Sequence, residues 1–470
     1  MVIGGGISGL AAAHRLTEID PATHVTLLEA SDRLGGVLQT VHSEGFQVER
    51  SADSFITLMP WATDLCRRIG FEDQLIGTRE GMRRALVVRD GQVCPVPEGF
   101  VLMRPDRLWP IVTTPILSWQ GKARLAYEVL VSARRDEADE SVASFVRRRL
   151  GRETFERIVQ PLLGGIYSAD PEQLSMAATM PQFLDQERTY GGLIRAAWKT
   201  AGKRKAASGR GHGQSGARYG MFVAPRDGLS SLVDAIAARL PEGTVQLNRP
   251  AASLARSEDG RWEVAIDGAH APLEADGVIV ATPAGHAARL VGEVDSRLAA
   301  ELGAIPFAGL SVVSLGYRRD QISHPLDGFG LVVPAIEGRR IIAASFSSVK
   351  YDGRAPDGSV LVRVFIGGAL QEELAARDDD ELLHIATAEL KELLGIDGGP
   401  SFSLIARWPS TMPQYHVGHM DRVAAIEART ASLSGLELAG NAYRGVGIPQ
   451  CIRSGETAAE RVLGIAPVFT

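Results

Sequence analysis

The chain has 470 residues, 45% of them hydrophobic, 23% charged and 51 of them glycine. That apolar share excludes a wholly disordered chain, and the lack of any Gly-x-y period excludes a collagen-like one. Fifty basic against 56 acidic residues leave a formal charge of −6, which argues against a general nucleic-acid footprint.

Residues 1–3 read as a short apolar strand that runs at once into Gly4-Gly5-Gly6. A buried strand usually has about five residues, so a few residues are expected to be missing at the start. Residues 7–17 carry the helical spacing Ile7, Leu10, Ala11, Leu16, and Val25 to Leu28 form a second buried strand ending at Glu29. A helix over 57–70 is marked by Leu58, Trp61, Leu65 and Ile69, with a stop at Gly70. Residues 85–118 are rich in proline and large apolar side chains, among them Phe100, Leu102 and Trp109. Helices are expected at 120–133, 141–150, 152–163 and 171–179. Residues 200–218 are small, basic and aperiodic, which reads as a mobile surface loop. A helix at 229–240 follows, then strands at 244–247, 261–266 and 278–281, and a set at 310–318, 330–333, 341–346 and 360–367. A helix over 378–394 opens on Asp378-Asp379-Asp380, and the chain closes with a strand at 436–439, a glycine-rich turn and a helix at 449–463. The two ends read as parts of one sheet, so the first domain is expected to be discontinuous.

Cys66, Cys94 and Cys451 are odd in number and far apart, which disfavours a disulfide framework or a zinc site and suits a reducing cytoplasm. No apolar run approaches the ~18 residues of a membrane span, and the start lacks the pattern of a signal peptide.

Three glycine clusters carry the chemistry. Gly4-x-Gly6-x-x-Gly9 lies between a strand and a helix, with the acid Glu29 at the end of the next strand. The first glycine permits the turn, the second lets backbone approach a pyrophosphate and the third lets helix and strand pack, while Glu29 suits a ribose diol. Gly5, Ile7 and Ser8 belong to the same loop. Next comes Glu29-Ala30-Ser31-Asp32-Arg33-Leu34-Gly35-Gly36-Val37, where paired glycines offer a second close approach and Arg33 can pair with a phosphate. The third is Leu438 to Pro449, a strand, a turn with Gly440, Asn441, Gly445, Val446 and Gly447, and a helix starting near Ile448 with Pro449 in its first turn. Val278 to Pro283, with Thr282, is a buried strand closing on a small-residue turn.

The Arg-x-Gly-Gly after Glu29 resembles FAD-dependent oxidases of the amine oxidase superfamily more than plain NAD-binding domains. Five spaced segments narrow the likeness. They are Glu29 to Gly36, Val159 to Tyr167 (Val-Gln-Pro-Leu-Leu-Gly-Gly-Ile-Tyr), Phe222 to Leu229, Trp408-Pro409 through Tyr415, and Arg444 to Pro449. In order and over essentially the whole chain they resemble the porphyrinogen oxidase family, in its bacterial soluble form. The chain departs from that family at Glu49-Arg50-Ser51-Ala52-Asp53-Ser54-Phe55, where the family reads Glu-Arg-Gly-Pro-Asp-Ser-Phe, and at Asn441, where many flavoenzymes carry an acid.

The resemblance implies an α/β fold, a discontinuous Rossmann-like FAD-binding domain with an inserted α+β substrate domain and a helical domain. The expected boundaries are 1–72, 221–292 and 425–470 for FAD, 73–94 and 293–424 for substrate, and 95–198 for the helical, membrane-facing or lid part. It implies FAD as cofactor, a porphyrinogen substrate in haem biosynthesis, and O₂ reduced to H₂O₂ over six electrons. Coproporphyrinogen III is the first choice of substrate and protoporphyrinogen IX the second. The cofactor would meet the three glycine clusters, Ser51 to Ser54, Ala251, Thr282 and Trp408. The substrate would meet Arg83, Arg84, Gly164, Gly165 and Ile166, with arginines on its propionates. No catalytic base and no metal ligand are assigned. The cytoplasm is the implied location, with peripheral membrane contact through 95–118 left open. Two alternatives stand: a flavin oxidase of amines or carotenoids, and a non-catalytic FAD-binding protein. Amine oxidases often place a lysine by the flavin from the substrate domain, and none occurs here between 206 and 349.

Overall fold

The computed structural model describes residues 1–107, 109–136, 138–207 and 221–466. Five parallel strands form the central sheet, in the order Val245–Gln246, Leu27–Leu28, Val2–Ile3, Val278–Val280 and Leu436–Leu438. The strands are short, but Val2, Ile3, Leu27, Leu28 and Val278 to Val280 are all buried, as a sheet covered on both faces demands. One face packs on helices Ile7–Ile19, Leu229–Ala237 and Ile448–Val462. The other packs on an antiparallel layer of Ala251–Arg256, Trp262–Ile266 and Leu273–Ala275, and on helices Ala284–Val291, Ser296–Gly303 and His419–Ala431. Three separate stretches of chain thus build one nucleotide-binding type of sheet.

A second sheet has seven strands, in the order Phe402–Pro413, Phe307–Arg318, Ser359–Gly367, Ala343–Phe346, Gly330–Val332, Leu86–Arg89 and Gln92–Pro95. Helix Asp379–Leu394 covers one face, and its cap is the Asp378 side chain, which accepts from the Glu381 N–H at 2.9 Å. The region between Phe100 and Ala207 is mostly helical around its own core, with Phe145, Val146, Ile158 and Val159 fully buried.

Several elements differ from the sequence expectation. The 171–179 helix shrinks to Met176–Thr179, because Leu174 and Ser175 pair as bridges with His416 and Ser141. The 57–70 helix is trimmed to Trp61–Arg68, and the 120–133 helix to Trp119–Ala126 with a 3₁₀ turn Tyr127–Leu130. Within 152–167 a π-helical turn, Phe155–Val159, precedes Gln160–Tyr167; Pro161 supplies no N–H, so the ladder widens just before it. Residues 200–207, expected in a loop, end the helix Leu193–Ala207: alanine, lysine and arginine are strong helix formers, and a composition read as loop-like suits a helix equally well. The rest of that expected loop, 208–218, lies outside the described residues.

The 12-residue strand Phe402–Pro413 was not anticipated. It is an edge strand, so Pro409 is tolerated there, and the exposed Arg407, Pro409 and Ser410 mask its strand character. Of the apolar residues considered for a membrane surface, Phe100 is fully buried and Leu102 packs partly on the helical core. Trp109 is 74% exposed, as is Trp119. Among the described residues no helix is long and apolar enough to cross a membrane.

Candidate functional site

The parallel strands end in the three glycine clusters. Ile3 pairs with Val280 and Leu28, and Val280 with Leu438, so Gly4, Glu29, Ala281 and Ala439 emerge at one edge. In open α/β sheets this carboxyl edge is where ligands bind. Gly4 has φ +106°, and a Cβ there would stand 2.6 Å from the Ala281 carbonyl oxygen. A Cβ on Gly9 would stand 1.9 Å from the Gly4 carbonyl oxygen, so only glycine lets the helix Ile7–Ile19 start so close to its strand. Gly6 differs from both. Its backbone is ordinary (φ −70°, ψ 175°), and nothing lies within 4 Å of where its Cβ would be. Open space thus faces a helix N-terminus that no side chain caps, a fitting cradle for an anion such as a pyrophosphate.

The second cluster sits directly on the first. Gly35 N–H donates to the Gly5 carbonyl at 2.8 Å, and a Cβ on Gly36 would stand 3.3 Å from Gly6 Cα. Glu29 accepts from Gly5 N–H at 2.6 Å and from the Ser31 N–H and hydroxyl at 2.8 Å each. Arg33, anticipated as a phosphate partner, spends its donors on the carbonyls of Leu34, Leu38 and Gly36, so it braces the glycine turn. The exposed Ala30 follows Glu29, and Ala251 opens a strand two residues after Arg249, whose N–H donates to the Glu29 carbonyl at 2.9 Å.

The third cluster is tied by the long-range contact of two helices. A Cβ on Gly455, in Ile448–Val462, would stand 2.0 Å from the Ser8 carbonyl oxygen. This brings the N-terminus of that helix, which also lacks a side-chain cap, beside that of Ile7–Ile19. Gly440 lies near Thr282, whose carbonyl oxygen is 4.0 Å from its would-be Cβ. The Asn441 side chain donates to the Thr411 carbonyl at 3.5 Å. Tyr415, which ends one of the five family-like segments but had no role assigned to it, bridges the turn: its hydroxyl donates to the Asn441 carbonyl at 2.5 Å and accepts from Gly445 N–H at 2.9 Å. His419 Nε2 adds a hydrogen bond to the Tyr443 carbonyl at 2.8 Å.

The turn Ser51 to Ser54 faces the second cluster. The Ser51 hydroxyl donates to the carbonyl of the exposed Val37 at 2.5 Å, and Trp408 Nε1 donates to the Arg50 carbonyl at 2.7 Å. Asp53 is ion-paired with Lys350 at 2.9 Å and lies 3.6 Å from Arg363. Burial alone would raise its carboxyl pKa, but the two cations hold it well below the usual carboxylate range. The lysine-free stretch therefore ends, one residue later, on a lysine at this very turn. Its absence between 206 and 349 counts less against amine oxidation than the sequence implied. Lys350 and Arg363 left no local signal, because their partners are 297 and 312 residues away.

The substrate candidates are less closely gathered. Gly164 and Gly165 lie in the helix Gln160–Tyr167, and a Cβ on Gly165 would stand 3.3 Å from Val332 of the second sheet, while Ile166 is 40% exposed. Arg84 is ion-paired with Asp327 and also donates to its carbonyl. Arg83 donates to the Thr78 hydroxyl at 3.1 Å and carbonyl at 3.0 Å. Both guanidinium groups thus have protein partners, and Arg84 has its carboxylate already.

Glu49, just before the turn, is another group that sequence reasoning missed. Burial pushes its carboxyl up to about 7, against the hydrogen bonds from Leu229 N–H and the Thr40 hydroxyl, 3.0 Å each. A raised carboxyl pKa favours the folded state while the group stays protonated. That contribution is full below about pH 4.5 and is lost as pH rises through about 7. Glu49→Gln is therefore expected to gain stability relative to the unsubstituted protein between pH 5 and 8, by about 2–3 kcal/mol. Paired thermal melts across that range check the sign; a constant difference refutes it.

Residues 7–463 match the family described as flavin containing amine oxidoreductase. Coproporphyrinogen III oxidase of Bacillus subtilis (strain 168) is 33% identical over 98% of this chain and 97% of its own. Protoporphyrinogen oxidase of Bos taurus is 30% identical over 99% and 98%. A crystal structure from Exiguobacterium sp. 255-15, described provisionally as a protoporphyrinogen oxidase, has a TM-score of 0.86 at 29% identity, covering 98% of this chain and 97% of that one. Reduced UDP-galactopyranose mutase shares the fold, with a TM-score of 0.74 at 16% identity over 99% and 96%.

Proposed function

The chain belongs to the flavin-containing amine oxidoreductases, with FAD as cofactor, and on that premise we propose that it oxidises a porphyrinogen to a porphyrin in haem biosynthesis. Coproporphyrinogen III is the substrate put first, and protoporphyrinogen IX second. The observation that carries this reading is the end-to-end identity to coproporphyrinogen III oxidases, 33% over 98% of the chain. The overall change removes six hydrogens: porphyrinogen plus three O₂ gives porphyrin plus three H₂O₂. Bound FAD supplies the acceptor for a hydride from a bridge carbon.

The protein's part is to hold and orient. The uncapped N-termini of Ile7–Ile19 and Ile448–Val462 and the open space at Gly6 fit the pyrophosphate. Glu29 takes the ribose, and the turn Ser51 to Ser54, Trp408, Thr282, Asn441 and Val446 to Ile448 border the flavin. Gly164 and Gly165 add no side chain of their own, and the exposed Ile166 beside them is the apolar group offered to a flat macrocycle. Pyrrole nitrogens release their own protons, so no side chain is assigned as a base. Of the two arginines, Arg84 is held in a close pair with Asp327, whereas Arg83 has only a long 3.9 Å pair with the exposed Glu80, and it is the better candidate for a propionate.

The deciding experiment presents each porphyrinogen to the FAD-loaded protein without oxygen, follows flavin bleaching, then admits O₂ and records porphyrin fluorescence. Faster turnover of coproporphyrinogen III is expected. A protein that holds FAD but yields no porphyrin from either compound is not a porphyrinogen oxidase.

A further inference from the structure

We propose that Lys350 and Arg363 are positioning residues that clamp the turn Ser51 to Ser54 from the region of the seven-stranded sheet, fixing where it stands beside the glycine clusters. The inference rests on the reading of that turn as a border of the flavin.

The turn joins strand Phe46–Glu49 to strand Phe55–Ile56. None of its four residues is glycine or proline, and none has positive φ. Nothing in its own backbone therefore restricts it, and Ala52 is exposed. It is instead held by side chains from three elements of the seven-stranded sheet region. Lys350 ends the one-turn helix Ser347–Lys350, and its ammonium donates to Asp53 at 2.9 Å and to the Ser54 hydroxyl at 3.2 Å. Arg363, from strand Ser359–Gly367, donates to the Ser51 carbonyl and faces Asp53. Trp408, from strand Phe402–Pro413, donates to the Arg50 carbonyl.

Lys350 is 9% exposed and Arg363 2%. Its ammonium also lies 5.6 Å from the Phe222 ring centre and 5.2 Å from that of Tyr351. Two cations are thus withdrawn from water around Asp53, and Arg363 also faces the buried Glu49. Such burial is poor value as a source of stability and is better suited to fixing one geometry. Arg354, next door, braces a different segment, donating to the carbonyls of Arg226 and Pro225 at 2.7 and 2.8 Å. The region of the seven-stranded sheet therefore sets where the turn stands relative to the glycine clusters.

The test is FAD titration of the deflavinated protein by flavin fluorescence, with the visible spectrum of the loaded protein as a second readout. Lys350→Met is expected to weaken FAD binding about tenfold or more and to alter the flavin absorption envelope, since it removes a hydrogen-bonded charge. Lys350→Arg, which keeps the charge, is expected to stay within about threefold of the unsubstituted protein. Asp53→Asn combined with Lys350→Met is expected to match Lys350→Met alone, because both lose the same pair. Should Lys350→Met fail to fold for want of a partner to Asp53, the double variant, which leaves no lone carboxylate, decides. Unchanged FAD affinity and spectrum in the folded variant, or equal loss in Lys350→Met and Lys350→Arg, overturns the proposal. If the unsubstituted protein takes up FAD but makes no porphyrin, the assigned reaction falls and this clamp does not.

Discussion

Gly6→Val is expected to fold as the unsubstituted protein does and to purify without colour. The reason lies in the contrast among the glycines of one loop. Gly6 has backbone angles that any residue adopts, and a Cβ there meets no atom within 4 Å, so the branched side chain does not disturb the FAD-free protein. The space it fills is the space at the uncapped helix N-terminus where a phosphate would approach backbone. A loss of FAD affinity of at least about 100-fold, or roughly 3 kcal/mol, is expected. Flavin absorbance per protein and a thermal melt of the FAD-free form measure the two halves separately. A variant that remains fully yellow and active shows that this loop is not the cofactor cradle.

Gly455→Val is expected to have the opposite phenotype, a failure of the fold itself. Here a Cβ would stand 2.0 Å from the Ser8 carbonyl oxygen and 3.1 Å from Ala12 N, both backbone atoms of a helix that cannot move aside alone. Helices Ile7–Ile19 and Ile448–Val462 would have to part, exposing Leu10, Ala11 and Ile452, which are now fully buried. Overpacking against backbone in a closed core is placed at about 3–5 kcal/mol or more. The measurable result is insoluble protein or a Tm lowered by on the order of 10 °C. Gly285→Ala is the control: in helix Ala284–Val291 its Cβ meets nothing within 4 Å, and alanine there is expected to be neutral or mildly stabilising. If both variants melt alike, the close approach of the two helices is not what limits stability.

Much of the glycine-lined edge proposed for the cofactor was legible in advance, because close backbone approach restricts residue type at short range. A turn at Gly4 needs positive φ, Gly9 needs the missing Cβ, and Glu29 ends the neighbouring strand, all within one βαβ unit. The paired Gly35 and Gly36 were found for the same reason, although Arg33 proved to serve its own loop. Apolar periodicity located most helices, and erred where local composition had two meanings, as in Leu193–Ala207, or where an edge position relaxed the strand pattern, as in Phe402–Pro413. The substrate arginines were chosen for charge alone, and charge does not tell whether a carboxylate such as Asp327 already stands beside Arg84.

That FAD rather than NAD suits the chain was implied by the resemblance of Arg33 to Gly36 to the amine oxidase superfamily; by itself the sequence determined an α/β dinucleotide fold with glycine turns at both ends of the chain. Those features depend on backbone sterics within a few residues, and sterics of that range are written in residue type. Only the tertiary structure decided that Gly455 abuts Ser8, that Tyr415 ties Asn441 to Gly445, and that Lys350 and Arg363 hold the turn at Asp53. These pairings join residues far apart in the chain. A lysine or a tyrosine carries no mark of its partner until the packing of two sheets removes both from water and leaves each the other as its nearest charge or hydrogen bond.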